Sequence, residues 1–259
     1  MWNHKGNQIR NASLSYALVL SSLVAAFGDA RAETHCRTIA GGSSSLESID
    51  AKVRLQWIDK RLRHGARNAR LWAWGWAGIY SGLVTYELIT SAVVNKQADK
   101  NDAYVGAAAS SVGVLVLAIL PLDIMRDQRW LERRLKKAKP DTDPCALLAE
   151  AEGLLLRDAK GEEFGTGPLV HAGSFIFNIG VGLVLGLGFN HWTQAAATAL
   201  PGIVIGEIQA FTQPLDAVHD LAHYRAGMLD APTKKWPLMW SLIPTVGKDH
   251  YGASFALGF

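Results

Sequence analysis

The chain has 259 residues, 49% of them apolar and 19% charged, with a net charge of +3 and an isoelectric point near 8.8. That balance is too mild for a nucleic-acid binder, and no basic-aromatic or zinc module accompanies it, so nucleic acid is set aside as a partner. The averages conceal a segregation: charges crowd into residues 47–70, 123–163 and 207–249, while apolar residues gather in blocks of membrane-spanning length.

Residues 1–32 read as an export signal, with Lys5 and Arg10 as the positive region, Leu14 to Phe27 as the apolar region, and Ala30-Arg31-Ala32 as a small-x-small cleavage site. The expected mature chain therefore begins at Glu33. Its two cysteines, Cys36 and Cys145, form an even pair in an exported protein and predict one disulfide, provided both lie on the same side of the membrane.

Residues 33–70 divide into a flexible Gly41-Gly42-Ser43-Ser44-Ser45 linker and a basic amphipathic helix from Leu46 to Arg70. Leu55, Ile58 and Leu62 recur there at helical spacing, and Lys52, Arg54, Lys60, Arg61, Arg63, Arg67 and Arg70 cover the rest. Such a helix suits either an anionic membrane surface or a solvated lead into a span. Residues 71–125 form a first transmembrane hairpin. Its first block, Leu71 to Asn95, opens on Trp72, Trp74 and Trp76, and tryptophan gathers at the headgroup level. Its second, Ala103 to Leu122, carries Gly106, Ser110, Val114 and Ala118 four apart.

Residues 126–168 are a polar insertion of two opposite halves. The first, 126–139, holds seven bases against Asp127 and Glu132, and the second, 140–168, holds seven acids against Arg157 and Lys160. Two amphipathic helices are expected, broken at Pro140 and Pro144 and pairing with each other.

Residues 169–212 are a second, glycine-rich hairpin inside a run of 43 residues, Phe164 to Gly206, without Asp, Glu, Lys or Arg. Leu169 to Phe189 and Ala195 to Ala210 are its arms, with Asn190-His191-Trp192 between them. Gly182 and Gly186 on one arm, and Gly202 and Gly206 on the other, are stripes that let two helix backbones approach closely. The tail, 213–259, holds a helix from Leu215 to Leu229 and two alternating segments joined through Gly247-Lys248-Asp249, a short β-hairpin pattern. Its alternating end with Phe259 resembles, over about nine residues, the C-terminal strand of bacterial outer-membrane β-barrels.

That resemblance implies a second fold, a small outer-membrane barrel, in which the alternation of Phe175, Phe177, Ile179, Val181, Leu183, Leu185, Leu187 and Phe189 would be a strand. Block length near 20 residues, alanine-rich stretches and too few strands for a barrel favour a mainly α integral membrane protein. It would have four transmembrane helices in two hairpins, amphipathic helices and a C-terminal β-hairpin. An export signal then places the large polar parts in the periplasm of a bacterial cell envelope. Two basic helices there run against the positive-inside bias.

Three functions follow. The first is structural or assembly work in the envelope membrane, with the lipid bilayer and a second copy or an envelope protein as partners. The second is a small transporter or ion pathway centred on Glu207, with Asn178 and His171 across the hairpin, because an ionisable group inside a span is expensive. The third is a membrane metalloprotein using Asp216, His219 and His223, which fall at i, i+3 and i+7 on one helix face. The stretch His219 to His223 resembles the zincin spacing of two histidines four apart, but Asp replaces the usual Glu and no third ligand follows. No phosphate loop, nucleophile elbow or Cys-x-x-Cys accompanies these residues, and no cofactor or catalytic residue is expected.

Overall fold

The computed structural model describes residues 34–232, and in the tail the backbone of 239–246 and 251–258; the expected export signal lies outside the described residues. The fold is mostly helical. A one-turn helix, α1 (Ser44–Glu47), precedes α2 (Ala51–Val93), a single helix of 43 residues and about 65 Å at 1.5 Å per residue. Asp50 starts α2 by accepting the Lys52 and Val53 amides at 2.9 and 3.4 Å. The expected boundary at residue 70 is no break, because nothing between Arg70 and Leu71 supplies a cap, proline or glycine pair to end a helix. One helix serves first as a core element and then as the start of the apolar hairpin.

That hairpin continues into α3 (Gln97–Ile119), and α4 (Asp123–Lys137) follows a turn at Pro121. Helix α5 (Pro144–Gly165) starts on Asp143, whose carboxylate accepts the Cys145 amide at 2.9 Å, with Pro144 in the first turn where a missing N–H costs nothing. The glycine-rich arm is α6 (Pro168–Leu183), which ends in a π-helical turn at Val184–Gly188. Asn190 reverses the chain at φ 59°, a left-handed conformation that asparagine tolerates. Helix α7 (Trp192–Phe211) carries Pro201 in its interior, and α8 (Asp216–Arg225) follows. In the tail, β1 (Met239–Val246) and β2 (Tyr251–Gly258) are backbone segments paired antiparallel, Met239 opposite Gly258 and Val246 opposite Tyr251.

The core belongs to the first half of α2, to α4, α5 and α8, and to the segment before α1. Ile58, Leu62, Ala66 and Ala69 of α2 meet Ile124 and Leu131 of α4, Leu148, Ala151 and Leu155 of α5, and Ala217 and Tyr224 of α8, all essentially without exposure. Gly65 is required at this contact, since a Cβ there would stand 2.5 Å from Ile124 Cδ1 and 3.2 Å from Asp216 Cβ. The basic helix is therefore no membrane-surface helix. Its apolar stripe is covered by α4, α5 and α8, and two of its arginines, Arg54 and Arg61, are buried. Nor is 41–45 a free linker, because the Ser43 amide donates to Arg225 O at 3.0 Å and Arg225 Nε donates to Ala40 O at 2.7 Å.

The helical stretches Gln97–Lys137, Pro168–Gly188 and Trp192–Arg225 each contain a segment long and apolar enough to cross a membrane. They display the surface such a segment needs: Leu115 and Ile119 on α3 with Leu120 just after it, Ile176 and Leu183 on α6, and Leu200, Val204 and Phe211 on α7 are exposed. The alternation at 175–189 lies in this helical arm, which overturns the barrel-strand reading of that stretch; Gly182 and Gly186, at alternate positions, stand where α7 approaches, while Gly180 and Gly188 face open space. The second half of α2 falls short of a span in apolarity, diluted by Trp72, Trp74, Trp76, Tyr80, Tyr86 and Glu87, yet it packs along α3.

Candidate functional site

Close helix contact builds the glycine-rich hairpin. A Cβ on Gly182 would lie 3.1 Å from Ala199 Cβ, and one on Gly186 would lie 2.7 Å from the Trp192 ring. On Gly202 and Gly206 it would collide with Asn178 Oδ1 and Ser174 Oγ. All four expected packing glycines thus sit where α6 and α7 touch.

The two hairpins are joined at both ends. Near the core, Trp72 and Trp76 donate their indole N–H groups to Thr212 Oγ1 at 3.3 and 3.1 Å, and Tyr80 donates to Gln209 Oε1 at 2.6 Å. At the far end, His191 Nδ1 lies 2.9 Å from Asp102 Oδ1, so the α2–α3 and α6–α7 turns meet on one side. Between these ties the hairpins line a half-open cavity of about 900 Å³. Its walls are apolar, with Leu83, Val112, Val116, Phe177, Val181 and Ile205 among them, and Pro201 leaves the Ala197 carbonyl without its helical donor on the same wall.

The floor is acidic and comes from the core helices. Asp123, Asp158, Glu162 and, higher on the wall, Glu87 line the cavity against a single base, Arg126, which pairs with Asp123 at 2.5 Å. Asp158 is 1% exposed; no N–H or hydroxyl group among the described residues donates to its carboxyl oxygens, and its hydrogen bond is to the neighbouring carboxyl of Asp127. Burial, then the carboxylates of Asp127 and Glu162, hold its proton well above the usual carboxylate range, with Arg157 pulling the other way. Glu162 is 2% exposed and divided in its duties. Its Oε2 accepts the Ala217 and Val218 amides at 2.8 and 3.2 Å, capping α8 from another helix, while Oε1 has no partner among the described residues. Burial pushes it up to about 8 against the pull of those amides.

A second polar centre lies deeper in the core. Arg54 donates to Tyr224 Oη at 2.9 Å, to Cys36 O at 2.6 Å and to Glu152 Oε1, while Tyr224 donates to the same Glu152 oxygen at 2.5 Å. The Ile39 amide donates to Glu152 Oε2 at 2.7 Å, and the disulfide between Cys36 and Cys145 closes the segment onto α5. The opposite halves of the polar insertion meet as well: Arg134 grips Glu150 at 2.9 and 3.2 Å, and Arg157 grips Asp127.

His171 and Glu207 do meet across the hairpin, Nδ1 to Oε2 at 2.6 Å, but on its outer surface, and neither lines the cavity. Asn178 does line it, donating to Ser174 O at 2.8 Å, apart from that pair. Asp216 accepts from Asn68 at 2.9 Å, His219 faces Leu215 O at 2.6 Å, and His223 Nδ1 has no partner among the described residues. No three potential ligands stand together as a metal set among the described residues. Asp158, Glu162 and Glu87 escape a reading of the sequence because the first two sit in an ordinary charged helix and the third in a span diluted by aromatics. The signal that could have found Glu87 is its position as the one acid between Leu71 and Asn95.

The fold and site thus define a mostly helical protein with three helices able to cross a membrane and a disulfide-closed helical core beside them. No protein-family model, curated protein or solved structure matches the chain.

Proposed function

We propose that this is a structural or assembly protein of a bacterial envelope membrane, in which two hairpins and four spans mount a rigid helical domain on the periplasmic face. The observation that carries the reading is the Cys36–Cys145 disulfide, which closes a sequence separation of 109 residues across the polar core. Disulfides persist in oxidising compartments, so the helices they join belong on the outer side of the membrane that bears the spans. The fourth span is the second half of α2, which packs along α3 and would enter the bilayer with it. A tail ending in a β-hairpin completes the arrangement, and the exposed Leu71, Trp74, Leu169 and Phe211 suit the boundary between hairpins and core.

Because α2 runs unbroken from core to span, the domain is coupled to the membrane without a hinge, which suits a fixed mount for a second copy or an envelope partner. Thiol trapping in intact cells tests the placement. Alkylation by a membrane-impermeant maleimide only after reduction is expected, whereas free thiols labelled only after the cytoplasm is opened would reject it.

A further inference from the structure

A cavity of about 900 Å³ falls within the range of small-molecule sites, roughly 300–1,000 Å³, and its composition is lopsided. Apolar side chains from both hairpins make the walls, and the floor holds two buried carboxyl groups: Asp158, whose hydrogen bond goes to the carboxyl of Asp127, and Glu162, whose Oε1 has no partner among the described residues. Ser174 Oγ, of a residue on the wall, is likewise buried without a partner among the described residues. Buried polar atoms are almost always satisfied, and two buried carboxyl groups among the residues lining one cavity, one with an oxygen that no described residue reaches, are what a bound donor or cation would complete.

The charges nearby leave that demand open. On α4, Arg126 is engaged by Asp123 and Asp127 faces Asp158; on α5, Arg157 is held by Asp127. On α8, Asp216 and Asp220 add negative charge beside Glu162, while Arg61 of α2 pairs with Asp220 at 3.3 Å. On α6, His171 is taken by Glu207. Arg157 also attracts Asp158, but its hydrogen bonds go to Asp127, and among the described residues no cation forms an ion pair with Asp158 or Glu162.

We propose that this cavity binds an amphiphilic organic cation, its apolar body between the hairpins and its charged head on Asp158 and Glu162. This goes beyond a structural role and does not depend on it. At neutral pH burial keeps these carboxyls protonated, so an arriving cation is exchanged for a proton: the O–H bond of one carboxyl breaks, its electron pair stays on the carboxylate, and the proton leaves to water.

The test uses the full chain in neutral phosphatidylcholine nanodiscs, with tetraphenylphosphonium and its anionic mirror, tetraphenylborate, as probes in equilibrium dialysis. Tetraphenylphosphonium is expected to bind saturably, one per chain. Its affinity should rise about tenfold per pH unit from pH 6 toward pH 8, the slope of one proton released per cation, with acidification of a weakly buffered sample. Tetraphenylborate should show only partition into lipid. Asp158→Asn with Glu162→Gln is expected to lose at least tenfold in affinity and all of the pH slope, while Glu207→Gln keeps both. Should the double variant unfold, Ala109→Trp, which fills the cavity from α3, replaces it and is expected to abolish saturable binding. Equal binding of the two ions, pH-independent cation binding, or full affinity in the folded double variant or in Ala109→Trp would overturn the proposal.

Discussion

Arg54 and Glu152 form an ion pair with no solvent exposure on either side chain, although 98 residues and a complete apolar hairpin separate them in the chain. An ion pair so buried is tolerated only when its remaining hydrogen-bonding groups are met, and here Tyr224, the Cys36 carbonyl and the Ile39 amide meet them. Removing one member leaves the other as an uncompensated charge. Glu152→Ala is expected to cost about 3–5 kcal/mol, and Arg54→Met with Glu152→Leu distinctly less than the two single changes summed, measured by denaturant unfolding of the detergent-solubilised protein.

The disulfide acts on the same corner. Cross-linking a loop of about 100 residues removes roughly 4–5 kcal/mol of chain entropy from the unfolded state, so Cys36→Ser with Cys145→Ser is expected to destabilise by about 2–5 kcal/mol. Reducing the native protein should reproduce most of that loss, and a change below about 1 kcal/mol would remove the disulfide from the account of stability.

Asp158 and Glu162 set a pH dependence whose sign is fixed by the direction of their shifts. Both hold their protons more tightly folded than unfolded, so the folded state binds more protons at intermediate pH. Their contribution is whole below about pH 4, the unfolded carboxylate range, and is lost as pH rises through the folded values, about 8 for Glu162 and higher for Asp158. Thermal melts followed by circular dichroism should therefore show a falling midpoint between pH 5 and pH 9. Asp158→Asn, which keeps a neutral side chain in place, should flatten the fall.

Gly182 and Gly206 are predicted to tolerate no large side chain. Gly206→Leu would drive a side chain into Ser174, and Gly182→Leu into Ala199 and the Ala195 carbonyl, parting α6 from α7. Each is expected to leave helix content nearly unchanged while raising protease sensitivity near residues 189–192, a result that Gly180→Ala, with open space around it, should not give.

Much of this arrangement is legible in the residues themselves. Charge-free blocks betray the apolar hairpins, glycines four apart mark where α6 and α7 touch, and an even cysteine pair gives the disulfide. The long helix is harder to read, because a charged amphipathic segment followed by an apolar one looks like two elements when only the missing stop signal joins them. Arg54 and Arg61 look solvated for a related reason: the acids that bury them, Glu152 and Asp220, come from helices far along the chain. Glu207 stands out as a lone acid beside an apolar run, whereas Glu87, also a lone acid, is masked by the aromatic residues around it. Which of them faces the cavity depends on helix rotation, and no local pattern records it.

The buried network around Arg54 also dictates an order of biogenesis. Its members come from the segment at Cys36, from α2, from α5 and from α8, so Tyr224 is synthesised 170 residues after Arg54 and only once α3, α6 and α7 have been made. Until then Arg54 and Glu152 stay hydrated and the core cannot close. Completion of that core thus waits on the last helix: a chain interrupted before α8 leaves an arginine and a glutamate that still require water, and presents an open, protease-accessible core instead of a finished one.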